Sequence, residues 1–533
     1  MYTAEEKKIL EHYFTSTESD VFALINLPEV IKGTLFSRYS RTQKDVRRLF
    51  LDEFIGEDVL QGFFANETAS LEGVNTSKAE DFYERILVGY GDDSVAELGG
   101  CHVAMENISM LATKSIEEHR LGMSPLEKST RYVYFDQKKD GEYQFYKDQK
   151  IIQSQYRDLY LEVNNLLFDT YSKIVRDIQP LLKEIFPGDE NETAYKFSIR
   201  AKACDIARGL LPLSAYTNMG AYANGRAFEY LLIHLLNDPL EEVRTIGRQM
   251  DENLKKVIPA FIKRATNERG EQYREYLQNT EKSLPVADHI EHSPNTYTEL
   301  TVELADADPL AIEKIIASIL YSRSQMPYSA AFEKAKAMHD ADTDAIVRHY
   351  TALRKNRHHK PGRSFEEAYF AFDVVADWGV YKDLMRHRIL TRHHQVFTNE
   401  LGYWTPQEIV MSGFESEYRR AMDKAVEAYV AIKKDFPHEA QYLVTHGAYN
   451  RFYMRMNLRA INHMVELRTS PQGHPTYRKT GQLMAQRVSE RFPLLGKYAF
   501  PFADFNDYEL ERLDAFRKIE KKATELGVQG FSE

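Results

Sequence analysis

The chain has 533 residues, 43% of them hydrophobic and 28% charged, which is more than one ordinary core holds and excludes wholesale disorder or a collagen-like repeat. Two cysteines, Cys101 and Cys204, cannot staple so long a chain as a disulfide scaffold. A net charge of −11 gives no overall attraction to nucleic acid or an anionic membrane, so an anionic ligand needs a local basic cluster.

The opening MYTAEEKKILEHYF mixes charges where a secretory signal needs an apolar core, and no apolar run reaches membrane-spanning length. A cytoplasmic protein with no membrane or nucleic-acid partner is expected. In chain order, short β-rich stretches predict extended segments at 21–28 (VFALINLP), 101–108 (CHVAMENI), 131–135 (RYVYF), 298–304 (TELTVEL) and 369–375 (YFAFDVV). Helical periodicity predicts long amphipathic helices over 156–182 and 227–262, with a loop at 186–193 (FPGDENET). The polar, proline-bearing run SLPVADHIEHSPN at 283–295 reads as a joint between two halves. Sheet together with a helical majority predicts an α+β chain.

The halves look like distant copies of each other. Each has a histidine-arginine pair, then an extended or loop segment, then a helix opening at Asn-any-Arg: His119-Arg120 with Asn224 and Arg226, and His387-Arg388 with Asn457 and Arg459. The interval is longer in the first half, which predicts an added helical segment at about 156–199.

Three constellations carry chemistry. RKNRHHKPGR at 354–363 and KDLMRHRILTRHH at 382–394 concentrate guanidinium groups; they read either as solvated basic faces or as a grip for a phosphate-bearing ligand. A metal reading of His387, His393 and His394 is the weaker one, since adjacent histidines on a helix diverge by about 100° and neighbouring arginines repel a cation. EKSTRY at 127–132, if extended, turns Glu127, Ser129 and Arg131 to one face, as an ordinary strand edge or as a phosphate grip. In MNLRAINHMVELRTS at 456–470, Asn457 and Arg468 share a helical stripe about three turns apart. Arg468 on that otherwise apolar stripe calls for a buried partner or ligand, although a cation at a helix C-terminus also needs no ligand. Arg459, His463 and Glu466 fall on the other side, as a solvated face or as further ligand contacts.

Taken in this order, the motifs resemble the flavin-dependent thymidylate synthase family. The resemblance rests on GDDSVAEL at 91–98, EKSTRY, ARGLLPLSAYT at 207–217, RHR at 386–388 and NLRAINHMVELR at 457–468. It implies two tandem units of that kind, residues 1–285 with the added helices and residues 290–533, each a small, mainly antiparallel sheet with long helices. It further implies FAD, NADPH and methylenetetrahydrofolate, and dUMP or a related pyrimidine nucleotide as methyl acceptor. By resemblance Arg468 is the catalytic residue. Arg386, His387, Arg388, Asn457, Arg459, His463, Glu127 and Ser94 would hold the flavin; Ser129, Arg131 and Arg208, with Arg386 and Arg468, would hold the nucleotide. No metal is implied.

The family's enzymes are homotetramers with shared sites, so the departures are informative. Glu118 replaces the first arginine of Arg-His-Arg in the first half, and Leu235 stands where the catalytic arginine belongs. In the second half Val396, Thr398 and Gln441 replace the serine and arginines of the nucleotide grip. Each half keeps what the other has lost. A composite site, where Arg-His-Arg and Arg468 of the second half face Glu127, Ser129, Arg131 and Arg208 of the first, is therefore expected, within one chain or between two, in a homodimer that imitates a tetramer with two working sites. The competing reading is a lapsed or repurposed flavin- or nucleotide-binding protein.

Overall fold

A computed structural model describes residues 2–40, 42–55, 96–285 and 295–527. Ser94 and most of the 91–98 motif lie outside these. The chain divides into two compact units: Met1–Asn107 with Ser115–Glu127 and Asn218–Ile290, and Ile108–Lys114 with Lys128–Thr217 and Glu291–Glu533. Lys128–Thr217, early in the sequence, thus belongs to the same unit as the second half.

The described strands are β1 (Gly100–Ser109), β2 (Met123–Glu127), β3 (Lys138–Lys139), β4 (Glu142–Tyr143), β5 (Tyr216–Asn224), β6 (Thr301–Ala307), β7 (Tyr369–Asp377), β8 (Thr391–His394) and β9 (Tyr449–Asn457). One sheet has the order β1-β5-β2 and another β6-β7-β9-β8, with β3-β4 a separate hairpin. The order β1-β5-β2 repeats as β7-β9-β8, with β6 added at one edge. In both sheets the last strand of the set is central and runs into a helix, Gly225–Leu235 after β5 and Leu458–Arg468 after β9.

The two helices start alike. Asn224 (φ −78°, ψ 165°) accepts from the Ala227 amide, and Asn457 (φ −78°, ψ 163°) accepts from the Ala460 amide. A side-chain oxygen at this position satisfies an amide that the first turn leaves orphaned. The tandem α+β reading therefore holds at the level of strand order and helix caps.

The predicted strands at 101–108, 298–304 and 369–375 are present as β1, β6 and β7. Residues 21–28 are not a strand: they are irregular, with an isolated bridge from Leu24 to Phe14. Nor are residues 131–135. β2 ends at Glu127, and the Ser129 carbonyl then accepts from the Val133 amide at 3.2 Å while the Ser129 hydroxyl accepts from the Arg131 amide at 3.2 Å. A serine that bonds its neighbours' backbone competes with a sheet ladder, so Glu127, Ser129 and Arg131 do not share a strand face.

Helix Arg157–Ile185 buries Tyr160, Val163, Leu167, Tyr171, Ile174, Ile178 and Leu182 along one stripe, against helices Thr193–Ala207 and Glu415–Lys433. The loop between Ile185 and Thr193 falls where it was expected. The periodic run 227–262 is three helices, Gly225–Leu235, Glu241–Leu254 and Pro259–Thr266. Pro239 and Pro259 interrupt it, because the residue before a proline is driven from the helical region.

Within the second unit, the motif segment 207–217 pairs with its counterpart 440–450. Leu213 donates to the Val444 carbonyl (2.8 Å) and His446 to Leu211 (2.9 Å); Ser214 donates to Tyr442 (2.9 Å) and Gly447 to Gly209 (2.8 Å). Pro212 faces Thr445 at the centre. Each bond has its mirror, which is the signature of a local two-fold between corresponding segments. No described helix is long and apolar enough to cross a membrane.

Candidate active site

A cavity of about 870 Å³ in the second unit is lined by Arg386, His387, Arg388, Asn457, Arg459, His463 and Arg468, together with Lys360, Arg363 and Glu366. Asn457 is a cap and not a helical residue, so it shares the cavity with Arg459 although an ideal helix would point the two apart. Ile389, Leu390, Met464 and Leu467 supply apolar wall. Glu366 is the one carboxylate of the lining, and it is engaged by Arg459 at 3.0 Å and by Arg363 at 3.1 Å.

The histidines of this cavity are neutral bases among cations. Arg468 Nε donates to His387 Nε2 at 3.0 Å, and Lys360 Nζ contacts His463 Nδ1 at 2.6 Å. Burial first, then Arg468, His463 and Lys360, hold His387 well below the usual imidazole range. Burial, Lys360, Arg357, Arg468 and Arg459 bring His463 down to about 4. A neutral imidazole is required here, since a ring nitrogen accepts only when it carries no proton.

Arg468 is 15% exposed and also faces Asp383 at 4.0 Å and the Tyr477 ring at 5.5 Å. Arg208, from the first half of the sequence, is buried and faces the same carboxylate at 3.6 Å, with Asp377 at 4.0 Å. Burial raises the Asp377 carboxyl to about 6 despite Arg208. Arg131 also lies against Tyr477, its guanidinium 5.2 Å from the ring centroid, and donates to its hydroxyl at 2.8 Å. Its remaining bonds go to Asp205 (2.9 and 3.0 Å) and to the Gln472 carbonyl (3.1 Å), and Arg512 also pairs with Asp205. Burial opposes charge on Asp205, but Arg131, Arg512 and His474 outweigh it and hold the carboxyl well below its usual range.

Arg131, Arg208 and Arg468 are therefore brought together around Asp383 and Tyr477. Ser129 lies two residues from Arg131 in the turn, and Glu127 ends β2 in the first unit. Parts of the basic runs have other work. Arg354 forms a buried pair with Glu466 (2.5 Å), so Glu466 is not on a solvated face. His393 and His394 sit on strand β8 and not on a helix, with His394 beside Lys114 at 2.9 Å. Among the described residues no group of three or more histidine, cysteine or acidic side chains is placed to hold a metal ion. In the first unit, Leu235 is buried at the end of its helix, and His119 meets Tyr230 edge-on and His234 at a tilt.

Sequence reasoning does not reach Asp383, Asp205, Tyr477 and Lys360. Asp383 and Lys360 are hidden inside runs dominated by positive charge; Asp205 and Tyr477 carry no local signal, because their partners are remote in sequence.

The profile of the family described as thymidylate synthase complementing protein matches residues 57–260 and again 303–494. A UPF0159 protein of Chlamydia muridarum is 41% identical over 520 residues, covering 96% of this chain and 97% of the relative. A UPF0159 protein of Thermoplasma acidophilum is 32% identical over 510 residues, covering 91% and 97%. A crystal structure of a UMP/dUMP methylase from Streptomyces cacaoi bound with 5-Br dUMP is 20% identical with a TM-score of 0.32, covering 39% of this chain and 99% of that one. With two family matches in tandem over most of its length, the chain belongs to the thymidylate synthase complementing protein family, the flavin-dependent thymidylate synthases that its motifs resemble.

Proposed function

We propose that this chain methylates dUMP to dTMP at one composite site that joins residues of both sequence halves. The observation that carries the reading is the approach of Arg208, from the first half, and Arg468, from the second, to the single carboxylate of Asp383. Beside them lies a cavity whose cations suit a pyrophosphate and whose apolar wall suits ring systems. These residues fit FAD, and Arg386, His387, Arg388, Asn457, Arg459 and His463 would hold it. Bound there, it supplies the redox chemistry by which NADPH electrons turn the one-carbon unit of methylenetetrahydrofolate into a methyl group.

The protein's own part is electrostatic. Arg468 beside the uracil stabilises negative charge on the ring and so raises the nucleophilicity of carbon 5. Neutral His387, accepting from Arg468 Nε, fixes the plane of that guanidinium. Arg208 attracts the nucleotide phosphate. Arg131, with its donors committed to Asp205, Tyr477 and Gln472, acts by holding Tyr477 against Arg468. The reading draws nothing from Glu127 or Ser94, and it expects a cytoplasmic homodimer.

The test is tritium release from carbon 5 of labelled dUMP with NADPH and methylenetetrahydrofolate, alongside the visible spectrum of the purified protein. Arg468→Ala is expected to lower kcat by about 10²–10³-fold while flavin absorbance is retained. Normal turnover by that variant overturns the assignment. Flavin binding without release by the unaltered protein favours the lapsed binding protein.

A further inference from the structure

Asp383 lies one turn before Arg386, at the C-terminal end of helix Trp378–Leu384. Its carboxylate stands 3.6 Å from Arg208 Nη1 and 4.0 Å from Arg468 Nη1. These distances allow attraction but are too long for good hydrogen bonds. Arg208 is 3% exposed in its side chain against 17% for Asp383, and Arg208 Nη2 has no hydrogen-bond partner. A buried guanidinium with an unsatisfied donor is costly unless something else completes it. Burial works against charge on Asp383, but Arg208, Arg468, Arg131 and Arg386 outweigh it and hold the carboxyl below its ordinary range, so it is ionised at neutral pH.

We propose that Asp383 is the internal counter-anion of the nucleotide site: it holds Arg208 and Arg468 in one cluster and competes with the incoming nucleotide for both, with its phosphate for Arg208 and with the charge-bearing uracil for Arg468. This rests on the functional reading above in naming dUMP. Without a carboxylate between them the guanidiniums repel one another. With it they stay together, and the ligand's phosphate has to displace or share an attraction already made. Asp383 is thus a positioning residue that sets affinity. Its role has an unusual sign. Removing a group that contacts the ligand favourably weakens binding, whereas neutralising an internal counter-anion makes the site more cationic and strengthens binding of an anion.

The experiment is calorimetric titration of the full-length protein and its Asp383→Asn variant with dUMP and, separately, with inorganic phosphate, at several salt concentrations. The variant is expected to bind both on the order of tenfold more tightly, with a steeper salt dependence, and its kcat is expected to fall while KM falls with it. A purely structural role would lower the melting temperature without tightening anion binding. Unchanged or weaker binding of phosphate and dUMP by the variant overturns the proposal. If the unaltered protein fails to bind dUMP, the functional reading fails, while tighter phosphate binding by the variant still supports the counter-anion. Should Asp383→Asn fold poorly, Asp383→Ser removes the same charge and has to move phosphate affinity in the same direction.

Discussion

His463 shows how the crowding of cations becomes a measurable property. Its imidazole is held at about 4 by burial and by Lys360, Arg357, Arg468 and Arg459, against about 6.5 for an unperturbed histidine. Below pH 6.5 the unfolded chain takes up a proton that the folded chain refuses. The contribution of this group is therefore complete above pH 6.5 and is lost as the pH falls toward 4. Thermal melts between pH 7.5 and 4.5 should show a falling midpoint, and His463→Asn should make that fall shallower without abolishing it, since His387, His446 and His474 are depressed as well. Parallel curves for the two proteins would show that His463 is not held neutral. At this scale the sequence disclosed the cationic side chains of the cavity, because charge is visible residue by residue. It hid the carboxylates that organise them: Asp205 meets Arg131 and Arg512 across long separations, and only the folded chain makes that triad.

Elements were legible where one local rule dominated. Asn224 and Asn457 marked both repeat helices because an asparagine cap is a local device, and β7 announced itself as an aromatic and β-branched run broken only by Asp373 before its last residue, Asp377. The reading failed where two rules competed. At 131–135 aromatic and β-branched residues favour a strand, but the Ser129 hydroxyl and carbonyl accept from the Arg131 and Val133 amides and close a turn instead. Over 227–262 the helical period is sound, and prolines cut it. The reciprocal pairing of 207–217 with 440–450 depends on backbone proximity at Gly209, where an added methyl would run into the hydroxyl of Tyr418, itself bonded to the Trp404 carbonyl at 2.9 Å. Gly209→Ala should therefore lower stability by about 1–3 kcal/mol, read as a reduced melting temperature. The adjoining Arg208 makes a loss of dUMP affinity the expected companion effect. A variant as stable as the unaltered protein would show that the pairing tolerates displacement.

For the whole molecule, the distribution of the surviving residues decides where a site is assembled. Arg208 lies early in the sequence and Arg468 late, yet both belong to one compact unit of one chain and face one carboxylate. If the composite site is built this way, each chain carries everything that Arg208 and Arg468 contribute, and a partner chain cannot supply a missing one. Two inactive variants, Arg208→Ala and Arg468→Ala, should then show no turnover when unfolded together, mixed and refolded, although mixed dimers form. A site shared between chains gives the opposite result, because half of the sites in a mixed dimer would regain both arginines. The double variant within one chain adds a second reading of the same geometry: residues that share a partner couple, so its loss of dUMP affinity should be smaller than the two single losses combined. Strict additivity would place the two arginines in different sites and dissolve the composite, whereas tritium release from the mixed dimers would show that it is built between chains.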